Sequence, residues 1–335
     1  MRDAWEMWKE PRMVVLVGVC AAVYAAAMIP FKFLTIIPGS TEIRPATVFP
    51  IVFSFLFGPA GAWGAAFGNV VGDVLGGMLG PGSIFGFLGN FAYGYVPYKL
   101  WEAWMGESDV AGELKRWRER IPERLTEIKT VGLIVAGIFA LSMGLLWAGH
   151  YGGFYDLGNV VKWKWGEEEI KAGMAVALPV LALGITIGAT SILVLVFSPI
   201  RIVAVILISC LACAGIIAWG IEIIGAPFYL LALIILFNNF SISFLLAPPL
   251  LLLLYPRVES RFMLYRDLFG EQRPKAIAPR TGALILVVST VVLFIAGCLL
   301  TPERMQDLFG ITSLQVKGLV FSPLVLLLFI GLFLL

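Results

Sequence analysis

Glycine recurs at every fourth position along one stretch of the chain, and this repeat restricts how the stretch can fold. The glycines of the repeat are Gly64, Gly68, Gly72, Gly76 and Gly80. On an α-helix this spacing gives one face without side chains, so a second helix can approach backbone to backbone inside a bilayer. A second series follows at Gly82, Gly86, Asn90 and Gly94. The repeats therefore predict two closely packed helices, and packing alone is one interpretation of them.

The composition places these helices in a membrane. Hydrophobic residues make up 60% of the 335-residue chain and charged residues only 14%, whereas soluble domains carry about 25% charged residues. The mean hydropathy of +0.93 also indicates a membrane protein. We therefore predict an all-α, polytopic integral membrane protein embedded in the lipid bilayer. The net charge of +2 gives no support to nucleic-acid binding.

Apolar runs of about 20 residues, the length that crosses a bilayer as a helix, recur along the chain. They predict about ten transmembrane helices, at 13–31, 46–57, 60–79, 83–104, 131–149, 172–197, 200–220, 226–255, 281–300 and 318–335. The run 226–255 is interpreted as one helix although Asn238, Asn239 and Pro248-Pro249 interrupt it. A tight turn at 80–82 joins the third helix to the fourth.

Basic residues set the predicted orientation. The segments 105–130 and 256–280 are rich in lysine and arginine, and a count of about ten spans places both on the side of the N-terminus. By the positive-inside rule this side is the cytoplasm. We therefore predict a multi-pass protein of the cytoplasmic membrane with both termini inside, and with 150–170 and 301–317 outside. Within 105–130, apolar residues at steps of three and four predict a helix on the membrane surface, or a docking face for a partner.

Polar residues within these apolar helices predict a binding site. A carboxyl group within a span is costly and usually functional, and Asp73 lies ~10 Å from the predicted outer end of its helix. Arg44 lies at the entrance to the span 46–57, where its long side chain can reach inward. We predict an outward-facing substrate-binding cavity formed by Arg44, Glu42, Asn69, Asp73 and Asn90, with an aromatic wall supplied by Tyr93, or else by Trp147 and His150. The alternative is that Arg44 and Asp73 form only an internal ion pair, or that Arg44 only anchors its helix at the membrane interface.

Groups for catalysis or metal binding are scarce in the sequence. His150 is the only histidine, and it lies at the end of a predicted span. Cys210 and Cys213 form a C-x-x-C motif without a second pair, which favours helix packing over a metal or redox site. Few acidic residues lie within the predicted spans, so the chain has little equipment for acid–base catalysis. We therefore predict neither an enzyme activity nor a metal or cofactor.

The stretch from Arg44 to Tyr98 resembles a known family. An Arg-Pro pair enters the second span, Phe57-Gly58-Pro59 forms a turn, and Gly72-Asp73 lies in the third span. In these motifs the chain is similar to the substrate-binding (S) components of energy-coupling factor (ECF) transporters. The similarity extends over about residues 12–198 and is weak in its last third. The first span also carries the Ala-x-x-x-Ala spacing seen in that family, at Ala21, Ala22, Ala25 and Ala26.

The resemblance implies a particular organisation and function. Residues 1–198 would form a six-helix S-component-like membrane domain that binds a vitamin or similar metabolite from outside, with 32–45 closing over it. The four alanines would contact a separate transmembrane (T) component, which two cytoplasmic ATPases would drive. The chain has no GxxxxGK[ST] motif, so these ATPases would be other chains. Residues 199–335 would be an additional four-helix membrane region of unknown role, or a substitute for the T component.

Two functions from different classes fit the sequence. The first is a transport subunit that captures a small-molecule solute for uptake. The second is a membrane-embedded assembly protein that docks partner subunits through its glycine-rich helix faces. An integral membrane enzyme is the weakest interpretation, because the chain lacks acid–base groups. Transport predicts a ligand that co-purifies with the protein, whereas assembly predicts a stable partner and no ligand.

Overall fold

A computed structural model describes residues 1–31, 35–37, 41–42, 44–106, 110–120, 162–165, 168–171, 200–225, 227–270, 274–300, 302–311 and 313–335. The chain in these ranges is mostly helical. The helices are α1 (Arg2–Glu6), α2 (Pro11–Met28), α3 (Val48–Phe57), α4 (Pro59–Leu75), α5 (Gly82–Met105), α6 (Val110–Arg120), α7 (Ile200–Ile223), α8 (Phe228–Glu259), α9 (Tyr265–Phe269), α10 (Pro279–Leu299), α11 (Pro302–Phe309) and α12 (Leu314–Leu334).

Short connecting elements complete the described chain. Single 3-10 turns occupy Met7–Lys9, Ile29–Phe31 and Pro45–Thr47. Strands β1 (Thr35–Ile37) and β2 (Thr41–Glu42) form one antiparallel pair, and β3 (Lys162–Trp165) and β4 (Glu168–Lys171) form another. The prediction of purely helical structure did not include these two hairpins. Both fall in segments that the hydropathy pattern assigned to loops between spans.

Five described helices are long and apolar enough to cross a membrane, namely α2, α7, α8, α10 and α12. The protein is therefore a helical membrane protein. Helices α3, α4 and α5 coincide with predicted spans, although their length or composition does not by itself require a membrane. The predicted spans 131–149 and 172–197 lie outside the described residues. The predicted single helix within 226–255 is confirmed: α8 continues through Pro248 and Pro249 as one helix of 32 residues.

Helix α4 ends earlier than the sequence predicted. It stops at Leu75 instead of continuing to residue 79, because Gly77 adopts a positive φ of 68° that favours glycine. The Met78 N–H then donates to the Asp73 carbonyl at 2.8 Å, and the Gly77 N–H donates to the Val74 carbonyl at 3.2 Å. These two bonds form a Schellman cap. Asp73 therefore lies in the last turn of α4 and not ~10 Å inside it.

The glycine repeats pack helices within the chain. A Cβ atom added at Gly64 would lie 2.3 Å from Cys20 Cβ on α2, and one added at Gly68 would lie 2.9 Å from the Ala21 carbonyl oxygen. On α5, a Cβ atom at Gly94 would lie 2.8 Å from Ala62 Cα on α4. The predicted close approach of α4 and α5 is thus confirmed. Gly76 and Gly80 lie outside the helix, so they do not belong to its packing face.

The residues on the two sides of position 198 share one hydrophobic core. A single cluster of buried residues includes Ile51 and Tyr93 from the first region and Cys210, Leu231 and Leu286 from the second. A Cβ atom at Gly89 on α5 would lie 2.5 Å from Ile217 Cγ1 on α7. The described helices beyond residue 199 therefore pack directly against the predicted binding domain, although the separate roles assigned to the two regions stay a prediction.

An ionic cluster fixes α1 to one end of the helix bundle. Lys99 Nζ lies 2.7 Å from Asp3 Oδ2, and both side chains are only 2% exposed. The hydroxyls of Tyr95 and Tyr98 also donate to the Asp3 carboxylate, at 2.7 Å and 2.9 Å. Tyr265 donates to Glu102 at the same end. The start of the chain, the end of α5 and the basic segment 256–280 therefore lie together, as the positive-inside argument assumed.

Candidate functional site

A cavity of about 240 Å³ lies among α2, α4, α5, α7 and α8. Four residues of the predicted site line it: Arg44, Asn69, Asp73 and Asn90. Further polar lining groups come from Tyr24, Thr47, Ser83, Asn238 and Asn239. The first four residues come from three separate segments, so the fold brings together the side chains that the sequence predicted to share one cavity.

Arg44 and Asp73 are connected through the side chain of Asn69. Arg44 Nη1 donates to Asn69 Oδ1 at 3.2 Å, and Asn69 Nδ2 donates to Asp73 Oδ2 at 3.2 Å. Asn69 and Asp73 are one helical turn apart on α4, so their side chains meet on the same face. Asn69 is 2% exposed and Asp73 is 8% exposed. The amide thus links a cation to an anion in a poorly solvated place.

The turn between α4 and α5 holds the Asp73 carboxylate from the other side. The Ser83 hydroxyl donates to Asp73 Oδ2 at 2.9 Å. The backbone N–H of Gly80 in turn donates to Ser83 Oγ at 3.3 Å. The Gly80-Pro81-Gly82 turn places the beginning of α5 beside the end of α4, so two helix termini contribute to the same hydrogen-bond network.

Asn90 is held between α2 and its own helix. The Tyr24 hydroxyl donates to Asn90 Oδ1 at 2.9 Å, while Asn90 Nδ2 donates to the Gly86 carbonyl at 2.8 Å. Gly86 also leaves room for the Asn69 side chain, because a Cβ atom there would lie 2.8 Å from Asn69 Nδ2. The second glycine series therefore both packs α5 and opens space for the polar groups of α4.

Helix α8 supplies two amides that the sequence analysis did not assign to the site. The Arg44 backbone N–H donates to Asn238 Oδ1 at 3.4 Å. Asn239 Nδ2 donates to Cys213 Sγ at 3.6 Å. Adjacent asparagines within an apolar run were the available signal, but they were interpreted only as interruptions of a span. Polar residues within a membrane helix commonly mark a functional site.

The opposite wall of the cavity is apolar. Ile217 and Ile221 lie four residues apart on α7, Ile224 follows directly after the end of this helix, and Ile235 adds to them from α8. The spacing of Ile217 and Ile221 places their side chains on one helix face. An apolar frame with a few convergent polar groups is the usual construction of a small-molecule site. The arrangement suits binding more than catalysis.

Tyr93 does not line the cavity, in contrast to the prediction. Its side chain is fully buried, with the hydroxyl 2.6 Å from Ser243 Oγ and 3.3 Å from the Asn239 carbonyl oxygen. Ser243 Oγ also donates to the Thr47 carbonyl at 3.0 Å. Tyr93 lies three residues beyond Asn90 on α5, and the contacts of its hydroxyl place its side chain against α8. Its contacts connect α5 to α8 beside the cavity.

The remaining predicted site residues are placed as follows. Glu42 lies on strand β2, and its side chain is outside the described residues, as are Trp147 and His150. On α2, Ala25 is buried at 3% exposure and Ala21 is half-buried. Ala22 and Ala26 are exposed. The alanine series therefore divides between a face that packs on α4 and an open face, and its docking role stays a prediction.

Comparison with known proteins assigns no function to this cavity. Comparison of the chain with family models, with curated proteins and with solved structures gives no match. The resemblance to S components therefore rests on the sequence motifs alone.

Proposed function

We propose that the chain is a membrane transport subunit that binds a small solute from outside for uptake with energy-coupling partners. The observation that carries this proposal is the cavity in which Arg44, Asn69 and Asp73 form one hydrogen-bonded series against an apolar wall. Charged groups inside a membrane protein commonly mark substrate or ion pathways. A concave site with few, convergent polar groups is suited to a small molecule.

The position of the cavity along α4 supports capture from outside. Gly58, at the start of α4, lies against Tyr265 of the basic segment 256–280. Asp73 follows 15 residues later, which corresponds to ~22 Å along a helix axis. If the basic segment is cytoplasmic by the positive-inside rule, the cavity lies towards the outer surface. In the proposed topology of about ten spans, both termini lie on this cytoplasmic side.

The ECF interpretation adds specific partners to this proposal. Residues 1–198 would act as the S-component-like domain, and a T component and ATPases would be separate chains. The contribution of Asn238 and Asn239 to the cavity makes the region after residue 199 part of the binding unit, whatever other role it has. Vitamin-like solutes are the class that the resemblance implies.

Native mass spectrometry of the purified protein tests the proposal. The wild-type protein should retain a small molecule, and Asp73→Asn should lose it while still inserting and purifying as a folded protein. Ile208→Ala, on α7 but away from the cavity, is a matched control that should keep the ligand. A wild-type protein that carries no ligand but holds a stable protein partner would favour the assembly function instead, for which the exposed Ala22 and Ala26 offer a surface.

Impermeant thiol labelling tests the topology on which the direction of capture rests. Lys115 on α6 and Ser313 before α12 are both exposed, and about ten spans place them on opposite sides. Both cysteines are introduced into the Cys298→Ser variant. The thiol of Ser313→Cys should be labelled in intact cells. The thiol of Lys115→Cys should be labelled only after the membrane is permeabilised. Labelling of both positions from outside would contradict the topology.

A further inference from the structure

We infer that Ser243 and Tyr93 are positioning residues for Arg44, which they hold against Asn69 by fixing the backbone of residues 44–47. This inference rests on the proposed function, because it assigns a role in the same site to two residues outside the cavity lining. It makes α8, from the region after residue 199, the element that places the arginine of the site.

The backbone that carries Arg44 is held from α8 at both of its ends. Arg44 directly precedes the 3-10 turn Pro45–Thr47, and its backbone N–H donates to Asn238 Oδ1 at 3.4 Å. At the other end of the turn, the Ser243 hydroxyl donates to the Thr47 carbonyl at 3.0 Å. The Thr47 hydroxyl also donates to the Arg44 carbonyl at 2.8 Å, so the turn is closed on itself. Release of the Thr47 carbonyl would therefore let the turn move together with Arg44.

Ser243 bonds to a different segment of the chain, whereas two other buried serines bond within their own helices. Ser209 on α7 and Ser289 on α10 each donate to the carbonyl four residues earlier in the same helix, both at 2.7 Å. This local bond is a common choice for a serine within a helix. For Ser243 the equivalent acceptor is the Asn239 carbonyl. The bond to Thr47 therefore requires something that disfavours the local one.

Tyr93 occupies this local acceptor. Its hydroxyl lies 3.3 Å from the Asn239 carbonyl oxygen and 2.6 Å from Ser243 Oγ. Ser243 has one hydroxyl proton, which the bond to Thr47 uses, so Tyr93 is the donor in the contact between the two hydroxyls. Tyr93 thus covers the Asn239 carbonyl and leaves Thr47 as the acceptor for Ser243. Both side chains are fully buried, so bulk water does not replace these bonds.

The held turn places the Arg44 side chain on α4. Arg44 Nη1 donates to Asn69 Oδ1 at 3.2 Å, and Asn69 is 2% exposed. With the arginine in the same rotamer, a backbone shift of about 0.5 Å away from α4 lengthens this contact beyond the range of a hydrogen bond. The bonds from α8 to the turn therefore control whether Arg44 meets Asn69.

A double-mutant cycle on Arg44 and Asn69, repeated in several backgrounds of the full chain, tests this inference. Arg44→Met and Asn69→Ala each remove one partner of the bond, and thermal unfolding in detergent gives the melting-temperature losses. In the wild-type background, the double variant should lose less than the sum of the two single losses, because the partners are coupled. In the Ser243→Ala and Tyr93→Phe backgrounds, the losses should be additive, because Arg44 no longer meets Asn69.

Ser241→Ala provides the matched control background. Ser241 lies on α8 two residues before Ser243 and is 2% exposed, so this background should keep the wild-type coupling. A uniform loss of stability leaves additivity unchanged, so this readout separates positioning from a merely structural role. Coupling in Ser243→Ala equal to that in Ser241→Ala would overturn the inference, and so would additive losses in the wild type.

The Tyr93→Phe background keeps the serine and removes only the hydroxyl that covers the Asn239 carbonyl. If Ser243→Ala does not fold, Tyr93→Phe decides the same question, because Ser243 is then free to bond within its own helix. Wild-type coupling in Tyr93→Phe would overturn the role of Tyr93.

Native mass spectrometry separates this inference from the proposed function. Of the small molecule that the wild-type protein retains, Ser243→Ala and Tyr93→Phe should each retain a smaller fraction than Ser241→Ala. Equal retention by the three variants would overturn the link between the position of Arg44 and solute binding. A wild-type protein without a retained small molecule would refute solute capture, and the melting comparison would still decide whether α8 positions Arg44.

Discussion

The Ser83 hydroxyl donates a hydrogen bond of 2.9 Å to the Asp73 carboxylate, across the turn that joins α4 to α5. Each side chain is 8% exposed. The bond connects the last turn of one helix to the first turn of the next, so the carboxylate is held at the edge of the cavity by both. Because Asn69 bonds to the same oxygen of Asp73 at 3.2 Å, the Ser83 and Asn69 side chains together position this carboxylate.

A double-mutant cycle on Arg44 and Asp73 should distinguish a binding pair from an internal ion pair. If both groups bind solute, Asp73→Asn and Arg44→Gln should each abolish ligand retention, and the double variant should not restore it. If they only stabilise each other, each single variant leaves a buried charge without its partner, at a cost of ~3–5 kcal/mol. The double variant would then recover stability and keep the ligand. Melting temperature and ligand retention, measured together, decide between the two outcomes.

Replacing Gly94 with alanine should destabilise the protein. The added Cβ atom would lie 2.8 Å from Ala62 Cα and 3.3 Å from the Gly61 carbonyl oxygen, and both are backbone atoms that cannot move aside. Overpacking of this kind costs about 1–3 kcal/mol. Gly18→Ala on α2 is the control, because nothing lies within 4 Å of its added Cβ atom. Unfolding in detergent should show a loss of stability for Gly94→Ala and no loss of stability for Gly18→Ala. Equal stability of the two variants would contradict close packing of α4 and α5.

A buried ion pair joins α7 to α12. Lys317 Nζ lies 2.9 Å from Glu222 Oε1, and the two side chains are 1% and 0% exposed. Lys317→Met leaves the carboxylate without its cation, so it should cost ~3–5 kcal/mol of stability. The double variant Glu222→Gln/Lys317→Met removes both charges and should recover most of the loss. Chemical denaturation in detergent measures the two single variants, Lys317→Met and Glu222→Gln, and the double variant. A stability loss in the double variant equal to the sum of the two single losses would show that the two groups do not interact.

Asp3 should make the stability of the protein depend on acid pH. Burial raises the pKa of this carboxyl, but the Lys99 ammonium at 2.7 Å and the Tyr95 hydroxyl outweigh burial and hold the pKa below its usual value of 3.8. The unfolded chain therefore binds the proton more tightly than the folded chain. The contribution of Asp3 is fully present above pH 3.8 and is lost as the pH falls through the lower, folded-state pKa.

The comparison of wild type with Asp3→Asn measures this effect. The difference in melting temperature between them should be present at pH 5 and should shrink below about pH 4. Glu119→Gln on the exposed face of α6 is a control that should show no such difference. A difference that disappears already near neutral pH would contradict a depressed pKa at Asp3.

The alanine series on α2 should respond differently on its two faces. Ala25 is 3% exposed, so a tryptophan there has no room and Ala25→Trp should lower the melting temperature of the isolated protein. Ala22 is exposed, so Ala22→Trp should leave the isolated protein stable. If this open face docks a partner, Ala22→Trp should also reduce co-purification of that partner. Unchanged co-purification would remove Ala22 from the docking surface.

Several features of this protein could be predicted from sequence because they depend on local patterns. Apolar runs predicted α2, α7, α10 and α12, since the length of a hydrophobic run alone decides whether a helix can cross a bilayer. The spacing of Asn69 and Asp73 placed their side chains on one face of a helix, and the glycine at every fourth position predicted close packing. The gathering of Arg44, Asn69, Asp73 and Asn90 in one cavity followed from these local patterns and the order of the spans.

Only the tertiary structure decided the other wall of the cavity and the role of Tyr93. Asn238 and Asn239 follow Arg44 by almost 200 residues, and no local pattern states which helix α8 will contact. The same holds for Glu222 and Lys317, which are 95 positions apart yet form a buried pair. Tyr93 was predicted as an aromatic wall of the cavity, but its hydroxyl contacts Ser243 and its side chain faces α8. Local periodicity fixes which side chains share a helix face, whereas the partner of that face depends on how all the helices bury their surfaces together.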